Sequence, residues 1–244
     1  MQPFTRLTWV ELKLFIREPF AVIFTFAFPI LVMVVITGAF DRDDPAFGGA
    51  PPVDYYLSSY IGVVIAAIGL IAIPVHLATY WERGILRRFR ASSLSTIVML
   101  GALTIVGILM SIIGAVVLTV VATLLYDAKL PDAWAQIALV FLVSSIAFIG
   151  LGILLAAITR TARAAQAVGL MLYFPMLLLG GAGPPPSVMN SAMQTVSDVL
   201  PLTWAVRALQ DAWFDNTLAW SNIGGLALLT AIALALSLRL FRDA

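Results

Sequence analysis

The sequence has no cysteine and a single histidine. Without cysteine there is no disulfide frame and no thiolate to bind a metal or attack a substrate. Charge is scarce as well: Asp, Glu, Lys and Arg make up 11% of the 244 residues, where soluble domains carry about 25%. The net charge of +1 leaves no broad basic surface for nucleic acid. The lysines are Lys13 and Lys129, neither preceded by a glycine-rich loop, and there is no GxxxxGK[ST]. The chain therefore cannot hold ATP in a P-loop. The absence of HExxH, of a pair of membrane aspartates and of a serine with a histidine at shared depth disfavours an intramembrane protease.

What the sequence has in excess is apolar side chain, 61% of it AVILMFWYC, against about 45 to 50% in a soluble domain. No stretch is both polar enough and long enough to be a soluble domain, so residues 1–244 read as one membrane domain. Runs of the twenty-odd residues that cross a bilayer occur at Pro19 to Phe40, Tyr56 to Thr79, Ile97 to Leu125, Trp134 to Ile158, Ala164 to Gly183 and Trp220 to Leu238. The first is too long for the apolar core of a secretory signal and is expected to remain as a span. The fold class is all-α, a polytopic membrane protein with six transmembrane helices.

Orientation follows from Lys and Arg, which favour the cytoplasmic side. With the amino terminus inside, Arg6, Lys13, Arg17, Arg83, Arg87, Arg88, Arg90, Arg160, Arg163, Arg239 and Arg242 are inside, and Arg42, Lys129 and Arg207 outside. Both termini are then cytoplasmic. Tyr55, Tyr56, Tyr126, Trp134 and Trp220 fall at outer boundaries, and Tyr80 and Trp81 at an inner one, as interfacial anchors would.

No Asp, Glu, Lys or Arg lies inside the six runs. A charge at mid-membrane costs roughly 2.5 to 3.5 kcal/mol and usually marks an ion path, so an ion-coupled pump is disfavoured. His76, near the inner end of the second run, has no acidic partner in sight in the sequence and reads as a packed or interfacial residue. Gly107, Ser111 and Ala115 recur every fourth position and suit close helix packing.

Three other segments carry signal. In Phe4 to Glu18, Trp9, Leu12, Phe15 and Ile16 share one side of a helical wheel and Arg6, Lys13 and Arg17 another, which predicts an interfacial helix on the inner leaflet. The plainer reading is a basic leader that satisfies the charge rule. Tyr80 to Leu94, YWERGILRRFRASSL, sets apolar Leu86 and Phe89 among four arginines, a short helix suited to a groove on a soluble partner. Gly180 to Trp213 is too polar to span cleanly and too apolar for a free loop, so it is either an external amphipathic helix or a re-entrant pair.

Glu82, Arg83, Gly84 and Leu86, followed by Arg90, Ala91, Ser92 and Leu94, resemble the E-x-G-T-L-x-x-L-x-x-S-P-L loop of ATP-binding-cassette type-2 permeases. Pro201, Leu202, Thr203 and Arg207 resemble the P-L-T segment that family carries before its last span. The likeness extends over the whole chain and is closest to bacterial drug and antibiotic efflux permeases of the daunorubicin-resistance type. It departs at Ile85, where the family has Thr, and at Ser93, where it has Pro.

The resemblance implies the permease subunit of an ATP-driven exporter in the bacterial inner membrane, itself not an enzyme, moving a drug, antibiotic or lipid. It implies a cytoplasmic coupling loop, Glu82, Arg83, Gly84, Leu86, Arg87, Arg88, Phe89 and Arg90, that docks on cytoplasmic ATPase subunits. ATP and magnesium would sit on those partners and no cofactor on this chain. It further implies a second copy or paralogue of the permease, contact with membrane lipids, no nucleic acid, and a re-entrant external segment before the sixth span. The rival reading is a membrane anchor or regulatory subunit that transports nothing.

Overall fold

In a computed structural model, residues 2–17, 19–41, 44–47, 49–85 and 96–242 are described. The described residues are helical, with no strand among them. Helix α1 (Gln2–Ile16) leads into α2 (Pro19–Val22), which continues through a π-turn (Ile23–Ala27) into α3 (Phe28–Thr37). Helix α4 (Pro52–Ala67) continues through a second π-turn (Ile68–Ala72) into α5 (Ile73–Glu82). Then come α6 (Thr96–Tyr126), α7 (Trp134–Thr159), α8 (Ala162–Leu179), the short α9 (Ser191–Asp198), α10 (Pro201–Phe214) and α11 (Trp220–Arg242).

Five helical stretches are long and apolar enough to cross a membrane: Pro52–Glu82, Val98–Tyr126, Trp134–Thr159, Ala162–Leu179 and Trp220–Leu240. Ile23–Thr37 is a shorter apolar helix, continuous with α2. The protein is thus a multi-pass membrane protein.

Both π-turns have a sequence cause. Each is followed two residues on by proline, Pro29 after Ala27 and Pro74 after Ala72. A proline has no N–H for the carbonyl four residues back, and its ring pushes that carbonyl aside, so the helix widens there. At Pro74 the displaced carbonyl is that of Leu70, and it faces Gly169 of α8. One residue earlier, the carbonyl of Gly69 faces Gly152 of α7, and Gly69 itself lies against the Phe148 backbone. A Cβ on any of these three glycines would strike backbone, so three helices meet here at the closest approach their chains allow. Gly107 plays a milder part, resting on the Ile149 and Ile73 side chains, and Ser111 is buried beside it.

The result is a bundle with α4–α5 at its centre. Every residue from Pro52 to Pro74 is buried, and 94% of the most apolar window of that span is inside the protein, against 22% for the last span. Helices α3, α6, α7, α8 and α10 pack around it, and α11 lies outside on α7 and α10.

Three expectations change. The second span is longer at both ends than Tyr56 to Thr79, which brings Asp54 into the helix, 3% exposed, so a span does contain an acid. It sits in the first helical turn, where a carboxylate complements the helix dipole, and its Oδ1 accepts the Lys129 backbone N–H at 2.9 Å. The aromatic boundary residues divide. Trp134 and Trp220 are 59% and 68% exposed, but Tyr55, Tyr56 and Tyr80 are buried in the bundle. Third, α8 ends at Leu179 rather than running to Gly183, and Gly181 turns the chain at φ +89°.

Candidate functional site

The inner end of the central helix is built by its own termination. The N–H of Arg83 bonds the Thr79 carbonyl and that of Gly84 the Trp81 carbonyl, and Gly84 takes φ +66°, a left-handed conformation that glycine adopts without penalty. The glycine of the family-like motif is thus a helix stop that turns the chain out of the span. Glu82 accepts the backbone N–H of Ala162 at 3.1 Å, so it caps the first turn of α8 together with Thr161, which accepts from Ala164. Trp81 stacks beneath the Arg160 guanidinium, 5.2 Å from the ring centre. Trp81 and Glu82 therefore tie the end of α5 to the end of α7 and the start of α8 at the mouth of the loop. Leu86, Arg87, Arg88, Phe89 and Arg90 lie outside the described residues.

Beside this mouth is a cluster that sequence reasoning missed. Glu11 of α1 is 1% exposed, and its Oε2 accepts from His76 Nε2 at 2.7 Å and from the Tyr80 hydroxyl at 2.7 Å. His76 and Tyr80, one turn apart on α5, are 4% and 7% exposed, with Nε2 3.1 Å from the phenol oxygen. His76 thus does have an acidic partner, contrary to the sequence reading. It was invisible there because it comes from a helix 65 residues away. The available signal was an acid between Val10 and Leu12 in an otherwise basic amphipathic helix. Trp9 is 58% exposed, with the Lys13 ammonium 5.1 Å from its ring centre. Leu12 does pack on the core; the side chains of Arg6, Phe15 and Ile16 lie outside those described.

The outer family-like segment forms the α9–α10 corner. Pro201 opens α10, where a missing N–H costs nothing. Leu202 is fully buried against Gly62 and Gly180. Thr203, 2% exposed, shares a hydrogen bond with Ser197, whose hydroxyl reaches the Leu179 carbonyl at 2.6 Å. Arg207 pairs with Asp198 at 2.6 Å on the exposed side. Gln210 donates to the Ser59 hydroxyl, and Val206 meets Gly62, so α10 touches the central helix seven to ten residues past Pro52. That is about 10 to 15 Å along its axis at 1.5 Å per residue. The Tyr56 hydroxyl donates to the Gly183 carbonyl and closes the same corner. Elsewhere on the outer side, a cleft of about 480 Å³ opens between Thr37, Phe40, Asp54, Tyr126 and Lys129.

Among the described residues no group of His, Cys, Asp and Glu could hold a metal ion. The architecture is a buried central helix, a terminated and capped mouth at its Glu82 end, and a helical corner toward its Pro52 end. The model of the ABC-2 type transporter family matches residues 2–214. The chain belongs to the ABC-2 type transporter family. The match runs from α1 through the end of α10, so both the inner mouth and the outer corner fall within it. No curated protein matches the chain. As an ABC-2 transporter membrane domain it is a permease component, and the family implies association with ABC ATPase subunits.

Proposed function

We propose that this ABC-2 permease is the membrane half of an ATP-driven exporter whose motor is a separate cytoplasmic ATPase docked on the loop from Trp81 to Leu94. The family match over residues 2–214 carries the reading. The lack of a P-loop motif in the sequence supports a reading in which ATP and magnesium sit on the partner. In this reading Pro19–Thr37 is the first of six spans, both termini are cytoplasmic, and the membrane is the bacterial inner membrane. A second copy or paralogue completes the pathway. Helices α9 and α10 form a re-entrant pair in the outer leaflet, a reading supported by α10 touching the central helix well below its outer end. The cargo is amphipathic or apolar, a drug, antibiotic or lipid, because the middle of each span offers no charge to a charged substrate.

Leu86 and Phe89 act as the anchors in the ATPase groove, and Arg87, Arg88 and Arg90 as a rim that steers docking. Truncating a buried anchor costs about 2 kcal/mol or more, roughly thirtyfold in affinity. Leu86→Ala with Phe89→Ala therefore leaves the chain in the membrane, weakens co-purification of the ATPase by that factor and abolishes export, while Arg88→Ala has little effect. Normal ATPase binding by the double variant would assign docking to another segment.

A further inference from the structure

We propose that Glu11, His76 and Tyr80 form a latch that makes α1 and the inner end of the central helix move as one body during the transport cycle. The latch deepens, and rests on, the reading of this chain as the membrane half of an ATP-driven transporter.

Three observations carry it. The first is the cost of the arrangement. A carboxyl group taken out of water is strongly disfavoured unless its oxygens are hydrogen-bonded. Glu11 is 1% exposed on a helix whose neighbouring residues Trp9, Val10 and Leu14 are 58%, 50% and 38% exposed. Its burial is not a by-product of burying the helix, because the helix as a whole is not buried. The side chain is committed to α5.

The second is the form of the connection. The body of α1 packs on α6 and α2. Its hydrogen-bonded tie to α5 is this side chain, whose single oxygen Oε2 receives two donors at 2.7 Å. An ionised carboxylate can only accept, so the Tyr80 hydroxyl donates its proton to it and His76 donates from Nε2. Two donors spaced i, i+4 on one helix fix both the height and the rotation of α5 relative to α1. A polar bridge of this kind is rigid while made and separable when broken, unlike a packed apolar seam.

The third is its place. Tyr80 lies one turn before Gly84, where the chain leaves the span toward the docking loop, and Glu82 between them is bonded to the first turn of α8. A push on the loop reaches the latch, the start of α8 and the buried central helix within about 6 Å of chain. With the latch closed, α1 moves with that push; with it open, α1 stays in the leaflet while α5 shifts. Glu11, His76 and Tyr80 are thus positioning residues for the stroke.

The test uses the full chain with its partner ATPase in lipid nanodiscs, carrying spin labels on cysteines introduced at Val10 and Thr79. The native sequence has no cysteine to interfere. The Val10–Thr79 distance is measured without nucleotide and after trapping with ATP and vanadate. The expected result is one narrow distance in both states for the unsubstituted latch and for Glu11→Gln, which keeps an acceptor oxygen. In Glu11→Ala and in His76→Ala the distance moves on trapping by about 2 Å or more, the scale of helix shifts in switching proteins. A merely structural role would change the nucleotide-free distance and the trapped distance alike. A distance that changes on trapping with the latch intact, or that holds steady in Glu11→Ala, overturns the proposal. Failure of the unsubstituted chain to bind any cassette ATPase overturns the transporter reading instead. In that case the nucleotide-free distance of the chain alone is compared between the parent and Glu11→Gln, and a difference between them overturns the latch, so the two failures are told apart.

Discussion

The second and the last spans are nearly alike as sequences, with mean hydropathy 2.5 and 2.0 over their most apolar windows, yet they live in different surroundings. Pro52–Glu82 is enclosed by protein on all sides, whereas Trp220–Leu240 buries one stripe, Ile223, Leu226 and Ala233, and turns Leu228 and Ile232 outward. In a bilayer this costs nothing, because lipid tails are as apolar as leucine and supply no drive to bury one apolar helix more than another. What separates the two spans is the means of close approach. The central helix has Gly62 and Gly69 on its own surface and meets Gly152 and Gly169 on its neighbours, while Gly224 of the last span has nothing within 4 Å. It also holds the buried polar groups that find partners in distant segments: Asp54 with Lys129, Tyr56 with Gly183, and His76 and Tyr80 with Glu11.

The comparison breaks most visibly at the glycines. Gly152→Leu would set side-chain atoms against the Gly69 carbonyl, a backbone obstacle that cannot turn aside. Overpacking of this kind costs about 1–3 kcal/mol or more. The variant should lose the monodisperse peak in detergent gel filtration, while Gly224→Leu should elute as the parent does. Equal behaviour of the two would mean that α7 and the central helix are not in contact there.

Two leucines make the same comparison through lost packing. Leu70→Ala, at a side chain 1% exposed, should lower stability by about 2–5 kcal/mol. Leu228→Ala, 63% exposed toward lipid, should stay within about 0.5 kcal/mol. Thermal unfolding in one detergent, followed by tryptophan fluorescence, would rank them. A reversed order would place the last span at the centre of the bundle.

The smallest effect carries the opposite sign. The Tyr173 hydroxyl is fully buried with no hydrogen-bond partner among the described residues. Removing an unsatisfied polar atom while keeping the ring is neutral or stabilising, by up to about 1 kcal/mol. Tyr173→Phe should therefore match or exceed the parent in the same melt, and a clear loss of stability would show that the hydroxyl has a partner after all.

Much of this protein is legible in its sequence, for a physical reason. Crossing a bilayer demands long apolar runs, and a run can be read without knowing its neighbours. So the helical class, the stretches from Tyr56 onward that became spans and the amphipathic α1 all follow from local pattern. Pro29 and Pro74 likewise foretell a disturbed helix near them, though not that the disturbance would be a π-turn. The motif residues of the inner loop and of Pro201 to Arg207 pointed to the family that the family model then matched.

What the tertiary structure decided is which groups meet. Hydropathy cannot rank one apolar helix above another, so nothing in the sequence marks α4–α5 as the centre. Helical periodicity cannot pair Glu11 with His76, because the pairing depends on two helices crossing at one depth. The tyrosines at 55, 56 and 80 looked like boundary anchors because their depth was right; their direction, into the bundle rather than toward lipid, is set by neighbours that lie far off in the chain.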